Sequence, residues 1–152
     1  MSKRSAGLLM YRRRDSKIEV FLVHPGGPFW TKKDLGAWSI PKGEYLDREE
    51  PLGVAKREFE EETGFTPEGP FIELGDVKQP GGKIVTAWAF EGDCDPAKLR
   101  SNTFVMEWPP RSGRRMDVPE VDRGCWYSLE DARSRLLAGQ RAFLDRLLEK
   151  AR

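Results

Sequence analysis

Histidine is almost missing from this chain: His24 stands alone among 152 residues, which removes most imidazole-based catalysis and metal binding. Cysteine is scarce too. Cys94 and Cys125 are too few and too separated for a disulfide framework or a zinc site, and they read as a reducing, cytoplasmic setting. No apolar run nears the ~18 residues that span a bilayer, so no membrane partner is expected. The short run Gly7 to Tyr11 lies behind Lys3 and Arg4 but meets three arginines and no cleavage site, which makes it a first strand, not a signal peptide. Neither sign of charge dominates. The 26 Lys and Arg are interleaved with 25 Asp and Glu, for a net charge of +1, and this leaves no footprint for duplex nucleic acid while keeping a small anionic ligand open. The length suits one domain, 1–152, with a core of its own.

Carboxylates are what the chain concentrates. In Gly43 to Phe65, Glu58, Glu61 and Glu62 are spaced i, i+3 and i+4, which puts all three within about a quarter of a helix circumference. Leu52, Ala55 and Phe59 form a neighbouring stripe able to anchor that helix in a core. Like charges at this spacing repel by about 0.2–0.5 kcal/mol per pair, so the arrangement is either a solvated acidic face or a cation site. Hard oxygen donors select Mg²⁺, with Mn²⁺ as a substitute. Pro51 suits the first turn of the helix and Gly64 its left-handed end, giving a helix over Pro51 to Thr63. Arg57, four residues before Glu61, flanks the acidic face and can hold its carboxylates by charge-assisted hydrogen bonds.

The fixed positions Gly43, Glu49, Arg57, Glu58, Phe59, Glu61, Glu62, Gly64 and Phe65 resemble the Nudix box of the Nudix hydrolases, at that box's spacings. Phe59 and Phe65 stand where the family more often has aliphatic residues. The lead-in Trp38-x-Ile40-Pro41-Lys42-Gly43 is similar to that of Nudix enzymes, the dinucleoside tetraphosphate hydrolases in particular. The resemblance implies an α/β/α sandwich with a mixed sheet and a metal-dependent pyrophosphohydrolase cutting a nucleoside polyphosphate. It implies that the Gly43 carbonyl reaches a metal, that Lys42 lies near phosphate and that Glu49 supports the metal site from its edge. Metal would be held by Glu58, Glu61 and Glu62, and Glu58 or Glu61 would take the proton of the attacking water. Glu120 falls roughly where related enzymes place a distal glutamate, with Asp122 as its competitor. A non-catalytic nucleotide-binding regulatory module is the rival class; its usual mark, loss of a box glutamate, is not seen.

The remainder of the chain positions these groups. Ser5 to Arg13 and Lys17 to His24 read as paired strands, followed by a loop from Pro25 to Leu35. Phe71 to Lys78 and Lys83 to Glu91 read as a hairpin across Gln79-Pro80-Gly81-Gly82. A strand carrying Phe104, Met106 and Trp108 follows, then a basic loop from Arg111 to Glu120, a last strand from Arg123, and two helices divided at Gly139, the first capped by Ser128 and the second running from Gln140 to about Lys150. Strands and helices without a long βαβ repeat argue for a mixed sheet between helical layers. Trp30 either stacks on a base or closes the edge of the core. Trp38 and Trp108 are further stacking candidates, and Arg111, Arg114 and Arg115 either embrace a polyphosphate or form a solvated loop. With Lys32, Lys33 and the Trp38-x-Ile40-Pro41-Lys42-Gly43 lead-in, whose resemblance to the dinucleoside tetraphosphate hydrolases carries more of this than the composition does, they favour a dinucleoside polyphosphate such as diadenosine tetraphosphate over a nucleoside triphosphate or a nucleotide sugar.

Overall fold

A computed structural model of the protein describes residues 3–151; Met1, Ser2 and Arg152 of the expected 1–152 domain lie outside the described residues. The two apolar segments near the start form β1 (Arg4–Arg14) and β2 (Lys17–Pro25), joined through Asp15 and Ser16 at φ of 51° and 67°. Positive φ at both central residues gives this tight turn the twist of the strands it connects. After a short β3 (Lys42–Glu44) comes α1 (Pro51–Thr63), and the expected hairpin is β4 (Ile72–Lys78) with β5 (Ile84–Glu91). Then follow β6 (Thr103–Glu107), β7 (Arg115–Pro119), β8 (Val121–Ser128), α2 (Leu129–Arg135) and α3 (Ala142–Lys150).

The main sheet runs β4-β5-β1-β2-β8, with β1 and β5 parallel and the other neighbours antiparallel, so it is mixed as expected. Both faces are covered, and the strand pleat divides the core in two. Ala6, Leu8, Met10, Phe21 and Val23 join Val54, Ala55 and Phe59 of α1 on one face. Leu9, Tyr11, Val20 and Leu22 join Ala132 of α2 and Phe143, Leu144 and Leu147 of α3 on the other. This is the single-domain α/β/α sandwich. Among the described residues, no helix is long and apolar enough to cross a membrane.

Strands β1 and β2 pair only at their hairpin end, Tyr11 to Arg14 with Lys17 to Val20. Towards the other end they part, and the chain from Ser39 to Glu44 fills the gap. Val23 and Ser39 exchange main-chain hydrogen bonds of 2.9 and 3.0 Å, Leu8 N–H donates to the Pro41 carbonyl at 3.1 Å, and β3 pairs with Ser5 to Gly7. Because the inserted segment ends at the N-terminal side of α1, it brings Lys42 and Gly43 against the acidic face of that helix.

Helix α1 starts and stops where its sequence allows. Pro51 opens it, the Glu50 carboxylate accepts from the N–H groups of Leu52 (3.3 Å) and Gly53 (2.6 Å), and Gly64 closes it at φ 80° with its N–H bonded to the Glu60 carbonyl. Its buried residues are Val54, Ala55, Phe59 and Thr63, while Leu52 from the expected stripe is only partly covered. Two other expectations are corrected. The presumed basic loop from Arg111 to Glu120 is half strand: Arg115 to Pro119 pairs with Thr103 to Glu107 in a separate two-stranded ribbon, because Met116-Asp117-Val118 alternates and Arg111 and Gly113 turn the chain at positive φ. The last helix begins at Ala142, not Gln140, since Ala138–Gln140 is wound as a 3₁₀ turn that buries Gln140.

Candidate active site

On α1 the side chains of Glu58 and Glu62, one turn apart, point the same way. Glu120, at the junction of β7 and β8, reaches them from the opposite side, and one carboxylate oxygen from each of the three lies within 4.8 Å of the others. Gly43 makes the approach possible. A Cβ there would stand 2.1 Å from Cδ of Glu58, so any side chain would push the carboxylate out of its position. Glu61 falls outside the close trio, on an exposed rim. Arg57 fans across this rim, 3.5 Å from Glu49, 3.5 Å from Glu58 and 4.0 Å from Glu61. Glu49 also accepts the Leu46 N–H at 2.9 Å, which holds it at the entrance to the helix.

The electrostatics mark the trio as crowded. Burial, with the charges of Glu120 and Glu58 added, pushes the Glu62 carboxyl up to about 8, against the pull of Lys42 and of its main-chain N–H. Glu58 is raised by burial and by Glu61, with Arg57 opposing; Glu120 is raised by burial and then by Glu61. Burial lowers Lys42, and Glu62 and Glu58 partly restore it. Three oxygen donors that resist carrying their charges together fit a hard divalent cation, which would reverse that cost. Glu58, Glu62 and Glu120 are the residues that could hold it.

Beside the trio opens a cleft of about 190 Å³. Lys42, Glu62 and Glu120 supply its charged lining, Trp30, Pro25, Ile40 and Leu137 apolar surface, and Ser39 a hydroxyl. Trp30 is partly buried against the core, closing its edge, and also lines this cleft. The expectation for Trp38 is corrected: its ring is 2% exposed, its Nε1 donates to Asp34 at 2.8 Å, and no base can reach it. Arg111, Arg114 and Arg115 are not gathered at the carboxylates either. Arg115 begins β7, five residues and about 17 Å of extended strand from Glu120, and the other two lie further out in the turn. Trp108 stands at the same far end of the ribbon. Asp122 is taken up by His24 and does not join the trio.

One buried group gave no signal in the sequence. Gln140 accepts from the Ile40 N–H at 3.0 Å and donates to Ser39 Oγ and Gln79 Oε1, both at 3.0 Å, which pins the lead-in segment from behind. No sequence pattern announces it, because its partners lie 61 to 101 residues away.

This architecture recurs in known proteins. C. elegans Ap4A hydrolase, solved as a binary complex, is 22% identical over 95% of this chain and 96% of its own, with a TM-score of 0.66. The NUDIX domain of Shewanella oneidensis NrtR, solved with ADP ribose, is 15% identical over 100% of this chain and 90% of its own, TM-score 0.65. The MutT protein of Methanosarcina mazei Go1 is 22% identical over 99% and 96%, TM-score 0.61. Identities this low speak for the fold alone. No match is found among the curated proteins compared. A family model for the NUDIX domain matches residues 1–147, and with its box glutamates intact the chain belongs to that family as a hydrolase of phosphoric anhydride bonds.

Proposed function

We propose that this protein is an Mg²⁺-dependent pyrophosphohydrolase whose substrate is a dinucleoside polyphosphate such as diadenosine tetraphosphate. The observation that carries the reading is the oxygen trio of Glu58, Glu62 and Glu120, two of which, Glu62 and Glu120, line a cleft together with Lys42 and Trp30. Glu58, Glu62 and Glu120 hold the cation, and the Gly43 position keeps Glu58 in place. A divalent ion bound there neutralises phosphate charge and acidifies a water. Lys42 meets a phosphate oxygen at the cleft mouth. Trp30 offers its face to one base, a contact worth about 1–3 kcal/mol that tolerates any base. Glu61, exposed and next to Glu58, accepts the water proton as the water oxygen attacks phosphorus. The anhydride P–O bond then breaks in line, and its electron pair leaves on the departing phosphate oxygen. Arg57 orients Glu49, Glu58 and Glu61 without touching substrate.

Likeness to C. elegans Ap4A hydrolase favours the two-ended substrate. The NrtR domain bound to ADP ribose keeps a nucleotide sugar as the second reading, and the distance of the ribbon arginines from the carboxylates weakens a phosphate chain gripped along its full length. Comparing kcat/KM for diadenosine tetraphosphate, the common triphosphates and ADP-ribose under one set of conditions decides between them. A tenfold preference for either rival, about 1.4 kcal/mol in transition-state binding, overturns the choice of substrate.

A further inference from the structure

His24, the one histidine in the chain, is fully buried near the end of β2 and lies outside the carboxylate site. Its ring spans two separate parts of the structure. Nδ1 is 2.9 and 3.1 Å from the two carboxylate oxygens of Asp122 on β8, and Nε2 is 2.5 Å from the main-chain carbonyl oxygen of Lys33. The two contacts leave the ring in opposite directions, one to β8 and one to the loop after β2. With a partner at each nitrogen, neither is open to substrate.

The two ends of this bridge adjoin the two walls of the cleft. Asp122 follows Glu120 by two residues. Lys33 follows Trp30 by three, and its N–H donates to the Trp30 carbonyl at 2.9 Å, while the Trp30 N–H donates to the Gly27 carbonyl at 3.2 Å. The Trp30 loop is therefore a pair of tight turns, and the carbonyl at its far end is gripped by His24. We infer that His24 is a positioning residue for substrate: by bonding in opposite directions across one rigid ring, it fixes the separation between the Trp30 wall and the Glu120 wall of the cleft. That sets the spacing between a stacked base and the phosphates above the carboxylates, and it rests on the reading of Trp30 as a base platform. An amide cannot replace the ring, because its nitrogen and oxygen fork from one carbon and cannot reach both partners in opposite directions. Substitution by Gln keeps one of the two contacts at most, and the link between β8 and the Trp30 loop is lost.

A single histidine makes the test direct. In NMR of the unaltered protein, nuclear Overhauser contacts from the His24 ring to both Asp122 and residues 33–34 are expected, and the absence of either overturns the bridge even if no variant folds. In His24→Gln, amide hydrogen exchange is expected to quicken by tenfold or more over residues 30–34 and to stay unchanged in α1; unchanged exchange in the loop overturns the inference whatever the substrate proves to be. Kinetics then read the functional half. His24→Gln and Trp30→Ala are each expected to raise KM for diadenosine tetraphosphate at least fivefold with kcat within threefold, and the double variant to be no worse than the poorer single one. Multiplying effects in the double variant, or a loss in kcat at constant KM, overturn it. An unchanged KM in Trp30→Ala instead removes the base-platform reading, a failure that leaves its own signature beside the exchange data.

Discussion

Helix α1 and the β6–β7 ribbon each carry three like charges within a few residues, Glu58, Glu61 and Glu62 in one and Arg111, Arg114 and Arg115 in the other. On the helix, a period of 3.6 residues stacks Glu58 and Glu62, burial raises their protonation, and a third carboxylate arrives from Glu120. The ribbon spreads its charges along an exposed turn and strand, where water screens each one and nothing converges on them. A run of like charge becomes a site where the fold gathers it out of water, and stays a solvated surface elsewhere.

Breaking the helix side is expected to have the largest effects. Glu62→Gln removes an oxygen donor that no neighbour replaces, and turnover should fall by about three orders of magnitude with the fold retained. Circular dichroism alongside steady-state kinetics at limiting Mg²⁺ checks this, and activity close to that of the unaltered protein would sink the metal assignment. Gly43→Ala acts one step away. Its Cβ displaces the flexible end of Glu58 and not a backbone atom, so kcat should drop by about 10- to 100-fold while the melting temperature moves by only a few degrees.

Next in size is the coupling of pH to stability. Since the Glu62 carboxyl is raised from 4.5 to about 8, the folded metal-free protein holds a proton that the unfolded chain releases, and this stability is complete below about pH 4.5. It is lost as pH climbs towards 8. The metal-free melting temperature should therefore fall across that window, and Mg²⁺ at about 100 times its Kd should raise it by about 5–10 °C, most at the alkaline end. Calorimetry at pH 5 and pH 8.5, with and without Mg²⁺, reads the sign; a metal-free protein more stable at pH 8.5 contradicts the crowding of the trio.

What the sequence disclosed follows the same division. The bounds of α1, its proline start and its glycine stop depend on neighbours within four residues, and all three were legible. So were the β4–β5 hairpin and the Ser128 cap, whose hydroxyl accepts the Asp131 N–H at 3.1 Å. The close trio was legible only in part, because helical period alone ranks Glu58, Glu61 and Glu62 equally, and the arrival of Glu120 from 58 residues away decides which two converge. Trp38 misled for a related reason. An aromatic beside a phosphate-binding lead-in looks available, and only the packing of Tyr127 and His24 against its ring, both at 5.1 Å, shows it sealed. His24 and Gln140 join segments far apart in the chain, and such pairings leave no local pattern.

The smallest expected effect is the sharpest check on the comparison. If the ribbon arginines are a solvated surface, the triple substitution Arg111→Ala, Arg114→Ala and Arg115→Ala should change kcat/KM for diadenosine tetraphosphate by less than about threefold at 0.15 M salt, because charges more than a Debye length of about 8 Å from the reacting phosphate are largely screened. Lowering the ionic strength to about 0.01 M stretches that length to about 30 Å, enough to reach from the ribbon tip to the carboxylates. A deficit in the triple variant that appears at low salt and vanishes at 0.15 M marks the arginines as a field that steers an anionic substrate. A tenfold loss that persists at 0.15 M means that the ribbon bends over the cleft and grips the phosphates, and the contrast between the two charge clusters then fails.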